Sequence, residues 1–197
     1  MNDLANIVSL IQGERVALVG NSRKVLGQQF DVDRYDVVIR MNDAWKLPEE
    51  MKQSVGTRLD LLCVSGKKTK IEKLAEKEFL VMWMSPKNRD MISKSTCDNI
   101  EFYPLDWWQE LYEILDARPS TGCMAVDTVR RLIGDGTLTL YGFDFFQNDS
   151  WHKTYSFKEK VKRFLGMNIY VNPHDGEKEA QFIQKCLPTS QLTIVLP

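Results

Sequence analysis

The stretches R-V-A-L-V-G-N-S (Arg15 to Ser22) and Y-D-V-V-I-R-M-N (Tyr35 to Asn42) decide the fold. An apolar run, Val16 to Val19, stops at Gly20-Asn21-Ser22, and a second, Val37 to Ile39, stops at Arg40-Met41-Asn42. Short β-branched runs bounded by Gly and Asn read as strands. Laid side by side and parallel, the two strands would bring amide and hydroxyl groups to one carboxyl edge of a sheet. Open α/β sheets bind ligands at that edge, so the stretch reads as a nucleotide-binding floor.

Outward from this pair, helices and strands alternate. Leu4, Ile7, Val8 and Ile11 fall on one face of an opening helix that Gly13 would cap. Ser22 to Phe30 reads as a short helix or turn, and Leu47-Pro48-Glu49-Glu50 starts another short helix that ends before Val55-Gly56. The continuous apolar runs Leu59 to Val64 and Phe79 to Met84 have the character of buried parallel strands. Between them Lys67 to Lys77 is a charged amphipathic helix with Ile71, Leu74 and Ala75 inward. Pro86 to Asp98 shows no pattern; Ile100 to Tyr103 is a weak strand, and Leu105 to Leu115 a helix with a broad apolar face. Pro119-Ser120-Thr121-Gly122 opens a helix over Cys123 to Ile133, followed by a strand over Leu138 to Phe143. A basic helix over Lys158 to Leu165, an extended piece over Asn168 to Val171, a helix over Asp175 to Leu187 and a strand over Leu192 to Leu196 complete the chain. The alternation gives an α/β class with a mainly parallel sheet flanked by helices, expected as one domain over residues 1–197.

Composition narrows the function. With 43% hydrophobic and 27% charged residues in 197, the chain suits a soluble globular domain with a proper core. A net charge of −1 offers no global basic field for nucleic acid. No apolar run approaches the ~20 residues of a membrane span, and the N-terminus lacks the features of a signal peptide. Cys63, Cys97, Cys123 and Cys186 have no C-x-x-C spacing, so they suggest neither a zinc site nor a disulfide framework, and a cytoplasmic location is expected.

Four places carry chemistry, each with a plainer reading beside it. Gly20-Asn21-Ser22 lacks both the dinucleotide fingerprint and the G-K-[ST] of a phosphate loop, and alone it is a strand-ending turn. Ser120-Thr121-Gly122 at a helix start offers free N–H groups and hydroxyls to a phosphate or carboxylate, but Ser or Thr is also a routine N-cap. The only two histidines, His152 and His174, stand in polar, turn-like contexts after Tyr141-Gly142-Phe143. They have no third ligand at a zinc-binding spacing, so no metal is expected. Lys153, Lys158, Lys160, Lys162 and Arg163 form a basic stretch: a solvated helix face, or a guide for an anionic acceptor or membrane surface through Lys158 to Arg163. The tryptophans read as core, although Trp45 and Trp151 lie near the proposed site loops and could stack on a sugar or base.

Taken together, the pieces resemble the family 29 sialyltransferases. V-A-L-V-G-N-S with Y-D-V-V-I-R-M-N-D-A resembles that family's large sialylmotif, and S-V-G-T-R (Ser54 to Arg58) the segment after it. P-S-T-G, a helix and L-Y-G-F resemble the small sialylmotif, and W-H-K-T-Y (Trp151 to Tyr155) the third motif. His174 and Glu179 in H-D-G-E-K-E have the spacing of the very small motif. All four occur in the family's order, which favours the functional reading over the plain one for Asn21, Asn42, Ser120, Thr121, His152 and His174. The resemblance implies a Rossmann-like, single-domain variant of the GT-A fold, a CMP-linked acidic sugar donor and no cofactor. Two features depart from the family: Val16 and a residue near Asp135 stand where its disulfide joins the large and small motifs, and no anchor or stem precedes the motifs. Both departures suggest a cytoplasmic enzyme of microbial or viral type.

The activity so implied is transfer of an acidic nine- or eight-carbon keto sugar, sialic acid first, from CMP to a hydroxyl of a glycan or glycolipid. In the inverting version His174 is the general base and His152 stabilises the departing phosphate. Gly20, Asn21, Ser22, Asn42, Ser120, Thr121 and Gly122 bind the donor, with Glu179 and Tyr155 in support. An imidazole with a reference pKa of ~6.5 suits general-base work near neutral pH. One alternative is a Kdo transferase using CMP-Kdo, which could retain configuration through a carboxylate nucleophile at Asp144. Another is a non-catalytic module that binds CMP or acidic glycans.

Overall fold

The computed structural model describes residues 4–66, 68–145 and 174–195. Seven strands form one sheet: β1 (Arg15–Val19), β2 (Val37–Met41), β3 (Leu61–Val64), β4 (Leu80–Trp83), β5 (Glu101–Phe102), β6 (Thr137–Tyr141) and β7 (Leu192–Val195). Among the described residues seven helices accompany them: α1 (Ala5–Ile11), α2 (Glu49–Val55), α3 (Lys68–Leu74), α4 (Lys94–Cys97), α5 (Leu105–Leu115), α6 (Thr121–Leu132) and α7 (Gly176–Lys185). The architecture is α/β and Rossmann-like. Three short 3-10 turns, Arg23–Val25, Val32–Arg34 and Pro86–Met91, fill connections. The last of these and α4 occupy the segment whose sequence shows no pattern.

The strand order is β5-β4-β3-β2-β1-β6-β7, and every adjacent pair is parallel. The chain steps from β1 out to β5, then returns to lay β6 against the other side of β1. The order therefore reverses between β1 and β6, where Val19 lies opposite Tyr141. In open α/β sheets the crevice beyond such a reversal is the usual ligand site. The central strands are buried on both faces, which is why they read as unbroken apolar runs: Val16, Ala17, Leu18, Leu61, Leu62, Leu138 and Leu140 have no measurable exposure. One face packs against α1, α5, α6 and α7, chiefly through Ile7, Ile11, Leu111, Leu115, Val126, Val129 and Ile183. Residues of the opposite face contribute to two further clusters, one with Ile71 and Leu74 of α3 and one with Met51 and Val55 of α2.

Two polar devices hold the motif segments in place. Arg40, fully buried in β2, donates through Nε to the Arg58 carbonyl at 2.8 Å and through Nη2 to the Val55 carbonyl at 2.7 Å. Its Nη1 has no partner, and burial pushes the guanidinium down to about 10 despite Asp33 at 4.0 Å. The Asp33 carboxylate in turn accepts the backbone N–H groups of Thr57 and Arg58 at 2.9 to 3.0 Å. Gly56 permits this approach: its φ is +67°, and a Cβ there would collide with the Asp33 carboxylate. The S-V-G-T-R segment is thus a backbone cradle for an aspartate from the Val32–Arg34 turn, and its residues serve the fold.

All four cysteines are free thiols. Val16 lies between Val37 and Leu138 in the sheet. No described helix is long and apolar enough to cross a membrane.

Candidate functional site

Beyond the reversal, the tips of β1 and β6 touch. The Gly20 N–H donates to the Tyr141 carbonyl at 2.6 Å, and the Ser22 N–H to the Gly142 carbonyl at 3.2 Å. A Cβ on Gly20 would sit 2.3 Å from the Gly142 oxygen, so only glycine lets the two backbones close this far. The buried Ser22 hydroxyl donates to Asp144 Oδ2 at 2.9 Å and accepts the Lys24 N–H, capping the Arg23–Val25 turn. Gly20 and Ser22 therefore shape the crevice floor, while half-buried Asn21 stands between them at the strand tip.

Asn42, at the tip of β2, holds an unusual backbone conformation with φ of +54°. Non-glycine residues in that region carry strain, and such strain collects at binding sites. Its Oδ1 accepts the Ser65 N–H at 3.0 Å, which leaves the amide NH₂ as the group turned to other partners. Ser65 also meets the neighbouring helix, with its hydroxyl 2.7 Å from the Thr121 hydroxyl. Asn42, Ser65 and Thr121 thus form one polar seam across the carboxyl ends of β2 and β3 and the N-terminus of α6.

At that N-terminus Ser120 is the N-cap, accepting the Cys123 N–H at 3.1 Å. Its own N–H and hydroxyl both donate to Glu179, at 2.7 and 2.6 Å. Both of its donor groups are committed to Glu179, so the donors α6 can turn outward belong to Thr121 and Gly122. Gly122 lies close against Phe143 and Met41; a Cβ would come 3.3 Å from the Phe143 ring.

Glu179 is almost wholly buried, and burial pushes its carboxyl up to about 7 against the opposing pull of the two Ser120 bonds. His174 immediately precedes α7, and Asp175 caps that helix by accepting the N–H groups of Glu177 and Lys178. The His174 Nδ1 lies 2.8 Å from the Arg118 carbonyl, an acceptor, so the proton is on Nδ1 and the neutral ring has its lone pair on Nε2. Burial pulls its proton affinity below the usual histidine value. With Lys178 at 3.2 Å from Asp116, three contacts stitch the start of α7 to residues 116–120. The five-residue step from His174 to Glu179 is what lets both reach this one segment.

A cavity of about 450 Å³ opens along the same edge, lined by Asn42, Asp43, Ser65, Gly66, Lys70, Ser85 and Arg118. Of these, Asn42 and Asp43 fall within the sequence motifs, and only Asn42 is a candidate binding residue there. Ser65-Gly66 and Ser85 follow β3 and β4 just as Gly20-Asn21-Ser22 follows β1, so the strand-end rule applied to every strand would have found them. Lys46 lies 4.0 Å over the Trp45 ring, which also packs on the Leu62–Trp83 cluster. His152, Trp151, Tyr155 and the basic stretch Lys158 to Arg163 lie outside the described residues, as do Lys153 and the expected elements between 158 and 171.

No family model matches the chain, and no curated protein matches it in sequence. Its structure superposes on the crystal structure of a mammalian sialyltransferase with a TM-score of 0.56. The fold is sialyltransferase-like. The superposition covers 98% of this chain and 78% of that one at 18% sequence identity, so the likeness is one of fold. Within this sialyltransferase-like sheet, Asn21 follows β1, Asn42 follows β2, Thr121 and Gly122 open α6, and His174 before α7 is tied to the Arg118 carbonyl just ahead of α6.

Proposed function

We propose that this protein is a glycosyltransferase that moves an acidic keto sugar, sialic acid first, from its CMP donor to a glycan hydroxyl with inversion. The supporting observation is that the described motif residues follow strand ends or open helices along the carboxyl edge of a sialyltransferase-like sheet. In this reading the bond between the anomeric carbon and the CMP phosphate oxygen breaks as a bond to the acceptor oxygen forms. His174 takes the acceptor proton on Nε2, and its Nδ1–H stays on the Arg118 carbonyl, which holds the ring in that tautomer. Asn21 and Asn42 hold the phosphate and ribose, with Gly20 and Ser22 shaping the floor beneath them. Thr121 and Gly122 present α6's first N–H groups to the donor, and Ser120 and Glu179 fix that helix start. His152 stabilises the departing phosphate and Tyr155 supports it, assignments that rest on motif order alone. The CMP-sugar is itself a substrate, so no cofactor is expected, no metal is expected either, and a single domain acting in the cytoplasm is the simplest setting. Lys158 to Arg163 would guide an anionic glycolipid acceptor at a membrane surface.

A second reading has one observation behind it: Asp144, held by Ser22 at the β1–β6 crevice, is a carboxylate at the strand end where a nucleophile would stand. That reading is a retaining Kdo transferase using CMP-Kdo. CMP release from CMP-sialic acid and CMP-Kdo, with and without glycan acceptors and in EDTA, tests both donors. Under the first reading His174→Ala lowers turnover by roughly 10²- to 10⁴-fold and keeps CMP affinity. The acid limb of the pH–rate profile lies below the usual histidine value. Near-normal turnover in that variant removes His174 as base, a product of retained configuration by NMR moves the assignment to Asp144, and binding of CMP without turnover leaves a binding module.

A further inference from the structure

The polar cavity beside Asn42 has a composition of its own. None of its described lining residues is aromatic or aliphatic: they present two hydroxyls, an amide, a carboxylate, an ammonium and a guanidinium. A nucleobase needs an apolar or aromatic face to stack on, and the described residues of this cavity offer none. A polyhydroxylated ring suits it, and about 450 Å³ is in the range of small-ligand pockets. The charges are also informative. Lys70 is paired with Asp43 at 2.8 Å, so those two cancel. The Arg118 guanidinium has no ion-pair or hydrogen-bond partner among the described residues, and it is left as the cavity's uncompensated charge. A planar guanidinium recognises a carboxylate through two parallel N–H bonds.

Arg118 also stands at a telling place in the chain. Its carbonyl is the group that orients His174, while its side chain lines the cavity. One residue thus both orients the ring assigned as base and presents its side chain to the cavity. We infer that the cavity is the subsite for the carboxylate-bearing sugar itself, with Arg118 clamping the carboxylate and the Lys70–Asp43 pair and Ser85 meeting its hydroxyls. This deepens the proposed CMP-sugar reading and rests on it, and it moves carboxylate recognition from the N-terminus of α6 to a side chain that no motif contains.

The test measures binding of CMP and of CMP-sialic acid to the wild type, Arg118→Gln and Lys70→Gln by calorimetry, with thermal melts to verify folding. Replacing the Arg118 side chain leaves the backbone carbonyl under His174 intact. Arg118→Gln is expected to weaken CMP-sialic acid by roughly 10- to 100-fold, the worth of a charge-assisted pair, with CMP unchanged. Arg118→Lys recovers part of the loss by restoring charge without the fork, and Lys70→Gln gives a smaller loss for the donor alone. An Arg118→Gln variant that binds the donor as the wild type does, or that loses CMP and donor equally, overturns the subsite. Free sialic acid and its neutral methyl ester separate this failure from that of the parent reading. A wild type that ignores CMP yet prefers the free acid, and loses that preference in Arg118→Gln, keeps the subsite and refutes the CMP donor. A wild type that does not distinguish acid from ester refutes the subsite.

Discussion

Replacing Glu179 by Gln should change how stability depends on pH, and the expected size follows from the site. The carboxyl is buried and raised from 4.5 to about 7, so between those values the folded chain binds a proton that the unfolded chain releases. Its contribution is fully present below about pH 4.5 and is lost as pH rises through 7. At 1.36 kcal/mol per pH unit, the loss between pH 5 and pH 8 is roughly 2 to 3 kcal/mol. For a domain of this size that corresponds to a Tm fall of about 5 to 10 °C. His174 slopes the opposite way: burial lowers its proton affinity, so its contribution is present above the usual histidine value and lost as pH falls below it. The decisive quantity is therefore the difference between the Tm–pH curves of wild type and Glu179→Gln from pH 5 to 8. Gln keeps one acceptor for the Ser120 N–H and cannot ionise, so the variant should be the less stable at pH 5, and the gap should narrow or reverse by pH 8. Parallel curves would refute the claim that this carboxyl is forced to carry a proton by burial.

The remaining predictions concern the frame of the site. Gly20→Ala pushes a methyl into the Gly142 carbonyl and should cost more than about 2 kcal/mol in urea unfolding, against roughly 1 to 2 for Gly27→Ala, which meets nothing within 4 Å and bears only the strain of its φ of +79°. Arg40→Ala strips two hydrogen bonds from the Val55 and Arg58 carbonyls and should destabilise by about 3 to 5 kcal/mol in the same assay. Asp127→Ala should cost a similar amount, because the fully buried carboxylate accepts from Tyr103 at 2.5 Å and from Arg130 and Arg131, and all three would lose it.

The strands of this fold are readable because burial on both faces forces unbroken apolar runs such as Leu61 to Val64. The helix over Leu105 to Leu115 and the N-cap at Ser120 are equally plain, since their signals are local. The order of the strands is not: nothing in Thr137 to Tyr141 says that it pairs with β1 and not with β5. The Val32–Arg34 turn escaped for a similar reason. Its key residue, Asp33, is defined by the backbone N–H groups of Thr57 and Arg58, far along the chain. At the site, Asn42, Thr121, His174 and Glu179 stand out as turn or cap residues in recognisable motifs. Ser120 does too, yet its donors turn inward to Glu179, a commitment visible only once α7 is placed. Ser65, Lys70, Ser85 and Arg118 belong to two strand ends, helix α3 and a loop, and they form one wall only after the sheet is assembled.

The late arrival of β6 has a consequence for how the protein is made. Strand β1 finds its first neighbour almost at once, as Val16 meets Val37, but its other neighbour begins only at Thr137. At ~5 to 20 residues per second, a ribosome leaves that apolar edge uncovered for roughly 6 to 24 seconds. An unpaired edge of Val, Ala and Leu invites association with other nascent chains. The crevice that defines the candidate site is then a late join, with α7 and β7 still to follow. Chains stopped before Thr137 should therefore be sticky as well as inactive, and a tethered ribosome–nascent chain series would show chaperone binding peak just before that residue emerges.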